Sequence, residues 1–406
     1  MRLSASSPAD GRGVAVIGAG IVGACIALAL RKRGHRVTLV ERDAPGAGCS
    51  HGNSGAISAG SVAPLALPGV VASVPRMLRD PEGPLHLPWH QAPRVLPWLL
   101  RFVASASPER VQKAAAQLAD LHRGAVQAHV TLASEVGASH LLLRRGHLHL
   151  YPDEAAASKD ALGWALREQH GYVVQRLDRA GIVALEPHIP ERYRSGRFLE
   201  DHATILDPRA YVERIVQAFV AQGGSWLHET VRSLRRDPGD GWVVQGARQA
   251  YHFDQVVVAA GVWSRELLGS LGVALPLESQ RGYHVQYEGG ADLVSRTVVL
   301  ADHKIFLTPM LGGLRAGGTV EFGGLRRPPE PRRAAVLHAI TTRCFPSLQT
   351  RSHTVWMGHR PCMPDSLPRI GAVSRRPGLW LAVGHGHLGL TGAPATAALI
   401  AQAMSS

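Results

Sequence analysis

Three glycines, Gly18, Gly20 and Gly23, stand between a short apolar run at 14–17 and a helical pattern at 21–33, and this arrangement constrains the fold more than any other feature. In a strand-to-helix turn of this kind the first glycine permits the tight turn. The second lets backbone N–H groups approach a ligand, and the third lets helix and strand pack closely. A second apolar run at 37–40 ends in Glu41, about 20 residues beyond the glycines, where a carboxylate can receive ribose hydroxyls. The unit reads as β-α-β with an anion site at the positive end of its helix. A dinucleotide is expected to bind, with its pyrophosphate on Gly18, Ala19, Gly20 and Ile21 and its adenosine ribose on Glu41. That use of Glu41 argues against a 2′-phosphate.

The chain has 406 residues, 45% of them hydrophobic, enough for a packed core in about two domains. Its formal charge is +13, which favours anionic partners. The basic residues are dispersed, however, beyond short clusters such as Arg31-Lys32-Arg33, and aromatics are only 5%. A nucleic-acid groove with interleaved aromatics is therefore not expected. Cys25, Cys49, Cys344 and Cys362 form no close framework and are expected as free thiols. His385 and His387 have no neighbouring Cys or carboxylate, so no metal site is expected. Residues 14–30 are uncharged and precede Arg31-Lys32-Arg33, but they fall short of a spanning helix and their glycines have another use. We expect no membrane span and no cleaved signal.

Further along, 60–97 is dense in proline and reads as an excursion from the first domain. Leu118, Leu121, Ala125, His129, Leu132 and Val136 recur at helical steps up to Gly137, predicting one amphipathic helix with His129 as a core residue. Asp207-Pro208 opens another helix in cap-then-first-turn order. Runs at 242–244, 253–260, 283–287, 297–300, 305–308 and 319–322 suggest an antiparallel sheet. A last strand at 379–383 leads through glycines to a helix expected from Ala393, with Pro394 in its first turn.

Several segments together resemble the D-amino-acid oxidase/dehydrogenase superfamily of flavoproteins. They are Val16-Ile17-Gly18-Ala19-Gly20-Ile21-Val22-Gly23 with Val40-Glu41-Arg42, the loop Gly48-Cys49-Ser50-His51-Gly52-Asn53, and Val256-Val257-Val258-Ala259-Ala260-Gly261-Val262-Trp263-Ser264. Gly358-His359-Arg360-Pro361-Cys362-Met363-Pro364-Asp365 and Gly384-His385-Gly386-His387-Leu388-Gly389-Leu390-Thr391 follow in order. Within that superfamily the sequence is most similar to bacterial D-amino-acid dehydrogenases, including the branch acting on D-proline and hydroxyproline. The resemblance implies an α/β protein: a Rossmann-type FAD-binding domain assembled from discontinuous segments, plus an α+β substrate domain with an antiparallel sheet. The FAD pieces are placed at 14–85, 201–270 and 355–406, and the substrate pieces at 86–200 and 271–354.

The resemblance also implies the site. Arg42, Ser50, Asn53, Ser54, Val231, Gly261 and Trp263 would join the glycine motif in holding FAD, and the loop bearing Gly384, His385, Gly386, His387, Gly389, Leu390 and Thr391 would lie along the flavin. Arg360, in a Gly-x-Arg-Pro motif, would grip a substrate carboxylate with two parallel hydrogen bonds, and Tyr283 is a second candidate for the substrate pocket. Monomeric sarcosine oxidases carry a flavin-tethering cysteine at the position of Gly358, so FAD is expected to be non-covalent. The implied reaction is oxidation of a D-amino acid by hydride transfer from Cα to flavin N5, which demands positioning rather than a general base. Oxidation of glycine or an N-methyl amino acid on the same fold is the alternative. The electron acceptor would be a quinone, oxygen or an electron-transfer protein. A soluble cytoplasmic protein is expected, with peripheral contact at the inner face of the membrane open to it.

Overall fold

The computed structural model describes residues 13–405, and its architecture follows from two sheets. The first has six strands in the order Ser225–His228, Val37–Glu41, Val14–Ile17, Gln255–Val258, Leu379–Val383 and Arg369–Ala372. Five run parallel and the last is antiparallel. Neighbouring residues of these strands alternate between two cores, as a sheet covered on both faces requires. Val14, Val16, Leu39 and Val257 face the helices Ile21–Lys32, Pro208–Ala221 and Gly389–Ser405. Ala15, Ile17, Val40 and Val258 face the three-stranded sheet of Val231–Arg236, Trp242–Gly246 and Ala250–Phe253.

The second sheet has nine strands and is largely antiparallel. It runs from His353–Cys362 through Glu278–Tyr287, Gly313–Glu321, Ile305–Met310, Thr297–Leu300, His147–Tyr151 and Ser195–Leu199 to Gln175–Leu177, with Leu85–His86 beside Gly313–Glu321. Val285, Leu307 and Leu314 pack on Leu337 and Ile340 of the helix Pro331–Cys344. A small sheet of Ala56–Ile57, Ala203–Ile205 and Leu142–Leu143 lies apart from both. Among the described residues no helix is long and apolar enough to cross a membrane.

Three elements differ from the sequence reading. The helix expected up to Gly137 is two helices, Pro108–His122 and Ala125–Glu135, because Gly124 takes a left-handed φ of 67° between them. The run at 253–260 also divides: Phe253 ends an antiparallel strand, and Gln255–Val258 enters the parallel sheet. The last helix starts at Gly389 rather than Ala393. Pro394 therefore lies inside it, where it cannot donate to the carbonyl four residues back. That carbonyl, of Leu390, instead accepts 2.8 Å from His129 Nε2–H. The Tyr211 hydroxyl satisfies His129 Nδ1 at 3.1 Å, so this core histidine is neutral and replaces the missing helical bond.

A second buried pair obeys the same logic. His147 Nε2–H donates to the Ala203 carbonyl at 2.8 Å, so His147 Nδ1 must accept from His202 Nδ1–H at 3.1 Å. His202 Nε2 then accepts from the Gly60 N–H at 2.9 Å. Burial pushes His122, His129 and His147 down to about 4 and His202 well below its usual value. Their folded pKa values lie below the unfolded value, so unfolding takes up protons as the pH falls below about 6.5. Stability is complete above that range, and each such imidazole removes up to ~1.4 kcal/mol per pH unit below it. Thermal melts should give a Tm that is constant from pH 8 to 7 and falls steeply between pH 6.5 and 5. A Tm flat down to pH 5 would contradict this.

Candidate active site

The glycine turn is as tight as its sequence demands. Gly18 has a φ of +106°, and a Cβ there would meet the Ala259 carbonyl at 2.5 Å. A Cβ on Gly23 would fall 1.8 Å from the Gly18 carbonyl oxygen, so helix and turn touch backbone to backbone. At the helix start, Ser50 Oγ accepts from the Ile21 N–H at 3.0 Å. Glu41 is oriented by three backbone donors: the N–H groups of Ala19 at 2.9 Å, Arg42 at 2.8 Å and Asp43 at 3.2 Å. The Arg42 guanidinium stacks over the Trp263 ring, 4.2 Å from its centroid, a cation–π contact.

These groups surround a cavity of about 370 Å³. Most residues picked out from sequence lie on its wall: Gly18, Ala19, Gly20, Ile21, Glu41 and Arg42 from the first strand–helix unit, Ser50 and Asn53 from the following loop, Val231, Gly261 and Trp263 from the middle of the chain, and Gly384, His385, Gly386, Gly389 and Leu390 near its end. Six are not on that wall: Arg360 and Tyr283, described below, and four of the cofactor candidates. Gly23 packs beneath it against Gly18. Ser54 lies toward the larger sheet, with its Oγ 2.6 Å from where a Gly317 Cβ would be. Thr391 is buried, accepting from the Ser58 N–H at 3.0 Å. His387 is exposed, yet its pKa is lowered to about 4, first by burial and then by the Arg360 charge.

Several wall residues were not picked out from sequence, among them Glu229, Thr230, Arg232, His359 and Pro361. Glu229 is buried, accepting from the N–H groups of Thr230 and Ala247 and from Arg248 Nε. Only strand pairing could have revealed it: His228 pairs with Glu41, and the Glu229 N–H continues the ladder to the Glu41 carbonyl at 2.8 Å. Cys49 also lines the cavity. Its Sγ donates to the His359 carbonyl at 2.9 Å, and burial pushes its thiol up to about 11. It is a packed thiol, unsuited to nucleophilic attack.

The strand carrying Arg360 joins the two sheets. His353–Cys362 pairs residue by residue with Glu278–Tyr287. Its end is then stitched to the loop at 384–390 by the Cys362–His385 bridge and by the Gly386 N–H on the Pro361 carbonyl at 3.0 Å. Arg360 Nη1 donates to the Thr319 carbonyl at 2.7 Å and Nη2 to that of Gly318 at 3.3 Å. A Cβ on Gly282 would sit 2.1 Å from Arg360 Cζ, so that glycine makes the space for the guanidinium. Arg360 is half-buried, and the protein around it lowers its pKa. Tyr283 sits elsewhere: 2% exposed in the core of the larger sheet, it donates to Glu321 and accepts from the Glu330 N–H at 2.8 Å. Burial, reinforced by Glu321, raises its pKa to about 12. Its hydroxyl is committed to that core, and we assign it no part in binding substrate.

A parallel sheet with a glycine-lined helix start, a ribose-ready carboxylate and an inserted antiparallel sheet defines a dinucleotide-binding protein of the flavoprotein type. The profile of the FAD-dependent oxidoreductase family DAO matches residues 13–403. The chain is 38% identical over 404 residues to a D-amino-acid oxidase of Bradyrhizobium diazoefficiens, covering 98% of this chain and 96% of that one. It is 34% identical to D-amino acid dehydrogenase 2 of Ralstonia nicotianae, covering 96% and 95%. Among solved structures, glycine oxidase from Geobacillus kaustophilus shares the fold with a TM-score of 0.74 at 21% identity, over 97% of this chain and 94% of that one. The chain belongs to the DAO family of FAD-dependent oxidoreductases. The crowded glycines and the oriented Glu41 fit that cofactor.

Because a methyl on Gly23 would lie 1.8 Å from the Gly18 carbonyl oxygen, Gly23→Ala must push the helix off the turn. FAD affinity should fall at least tenfold, about 1.4 kcal/mol or more, measured by flavin retention and fluorescence titration on variant protein that keeps its helical circular dichroism. Wild-type affinity in that variant would contradict the assignment of the turn.

Proposed function

We propose that the chain oxidises D-amino acids, removing hydride from Cα and a proton from the neutral amine to give an imine, which water hydrolyses to a 2-oxo acid and ammonia. FAD bound in the glycine-lined cavity supplies the hydride acceptor. The observation that carries this reading is Arg360. It is a half-buried guanidinium on the strand that meets the 384–390 loop, with two of its N–H groups fixed by the carbonyls of Thr319 and Gly318. The rest of the fork is left for a carboxylate, which it can hold in one orientation. The oxidase and dehydrogenase names of the relatives support the substrate class. A cyclic imine would survive hydrolysis if the substrate were D-proline or a hydroxyproline.

Non-covalent FAD is part of the proposal. Gly358 occupies the position of the tethering cysteine of sarcosine oxidases, and a Cβ there would meet the Trp356 ring at 2.0 Å, so a side chain at that position would have to displace the ring. His387, with its pKa near 4, is neutral at pH 7 and adds no second cation beside the arginine.

The test is anaerobic reduction of the bound flavin by D- and L-amino acids, D-proline, cis-4-hydroxy-D-proline, glycine and sarcosine. Fast bleaching by a D-compound is expected. In Arg360→Ala the loss of a charge-assisted pair should raise KM about 100-fold or more. Bleaching by glycine or sarcosine alone would move the function to the alternative substrate class, and no bleaching by any of them would overturn the amino-acid reading. Gly282→Ala, which displaces the guanidinium without removing it, should raise KM about tenfold or more while FAD content stays at the wild-type level. An unchanged KM there would remove Arg360 from the substrate site.

A further inference from the structure

Thr319 stands out on two independent counts. Its φ is 59°, in the left-handed region, where a β-branched residue is a genuine outlier. Its Oγ1 is also a buried hydroxyl with no hydrogen-bond partner among the described residues, on a side chain only 6% exposed. Among the described residues, five non-glycine residues have positive φ and six have an unpartnered buried side-chain atom. Thr319 alone belongs to both sets. Strain and an unmet polar group both cost stability, and folds keep them where function over-determines the position.

The local cause is a β-bulge. Pairing between Gly313–Glu321 and Glu278–Tyr287 runs Arg281 to Glu321 and then Tyr283 to Gly318, so Gly282 alone faces both Thr319 and Val320. Bulges re-aim side chains and backbone next to active sites. Here the bulge turns the Thr319 carbonyl out of the ladder and onto Arg360 Nη1, at 2.7 Å. Gly282, opposite it, is the residue whose missing Cβ makes the space for the same guanidinium. Strain, bulge and glycine converge on one arginine. The unpartnered hydroxyl belongs to the residue whose carbonyl fixes that arginine.

We propose that Thr319 is a positioning and specificity residue of the carboxylate site: its strained backbone fixes the plane of the Arg360 guanidinium, and its unpartnered hydroxyl donates to an oxygen of the carboxylate held there. This rests on the reading of Arg360 given above. It explains why a threonine, and not the glycine that the backbone would prefer, occupies position 319. A hydroxyl is needed there enough to keep the strain.

The test compares Thr319→Val, Thr319→Gly and Thr319→Ser with Arg360→Ala, all as FAD-loaded protein, using the best D-amino acid from the reduction series and acetate as a minimal carboxylate probe read by perturbation of the flavin spectrum. Thr319→Val, which deletes the hydroxyl at constant shape, should raise KM and weaken acetate binding about tenfold with little change in kcat. Thr319→Ser should restore both to within about threefold. Thr319→Gly should raise Tm by relieving the strain, yet bind acetate as weakly as the valine variant or more so. A gain in stability coupled to a loss of affinity is a signature that a merely structural threonine would not give. If valine and glycine variants keep wild-type KM and acetate binding while Arg360→Ala loses them, the Thr319 proposal is wrong and the arginine reading stands. If Arg360→Ala also keeps them, both fall.

Discussion

One contact sets the geometry of the cofactor half: the Gly23 Cα against the Gly18 carbonyl, where an added methyl would lie 1.8 Å from oxygen. It lets the helix Ile21–Lys32 lie directly on the strand that precedes it, with Ile26 and Leu30 in the core. The N-terminal end of the helix is thereby brought level with the C-terminal ends of the parallel strands, where an open α/β sheet binds its ligand. Glu41 and Glu229 reach the same level because their strands are hydrogen-bonded neighbours, and Ala259–Gly261 because Gln255–Val258 pairs with Val14–Ile17. Strand pairing brings these segments level, and the missing Gly23 side chain lets the start of the helix lie there with them.

A second constraint ties that half to the larger sheet. His353–Cys362 belongs to the nine-stranded sheet along its whole length, and its last residues are hydrogen-bonded to the loop between the final strand and helix of the cofactor half. A side chain near that junction is positioned by both halves at once. Arg360 is such a side chain: its space comes from Gly282, its hydrogen bonds from Gly318 and Thr319, and its electrostatic neighbour, His387, from the loop. If Arg360 holds the substrate as proposed, the substrate's orientation relative to the cofactor is set by both halves at once. It is built into a strand shared between the two.

What could be read from sequence follows how local each feature is. The glycine turn, Glu41 and the Asp207 cap were legible because each needs only a few neighbouring residues; Asp207 Oδ1 accepts from the Ala210 N–H at 3.0 Å, as expected of a cap. Family resemblance extended this to the loop at 384–391 and to Arg360, which no periodicity would single out. Glu229 was invisible because sheet pairing, set by contacts between segments remote in sequence, brings it to the cavity, and His359, though inside a quoted motif, has no local signal that places it there. Tyr283 is a candidate for the substrate pocket on sequence alone, with a structural tyrosine the alternative, and only the fold shows its hydroxyl bonded to Glu321 and the Glu330 N–H. The strain at Thr319 has no sequence signal at all, since threonine is an ordinary strand residue until a bulge forces it otherwise.

The start of the last helix shows how one misread residue propagates. Proline is welcome in a first turn, so Pro394 suggested a helix from Ala393. The fold starts it four residues earlier because another group can satisfy the carbonyl that proline leaves open, and His129, on a helix of a different segment, does so. Moving the start to Gly389 places the first turn of the helix, with Gly389 and Leu390, on the cavity wall. The positive end of its dipole then faces that cavity. The buried neutral imidazole is thus more than core filling. Without its Nε2–H the Leu390 carbonyl would lie buried and unpaired, and the helix could reach the cofactor cavity only by leaving that polar group unsatisfied.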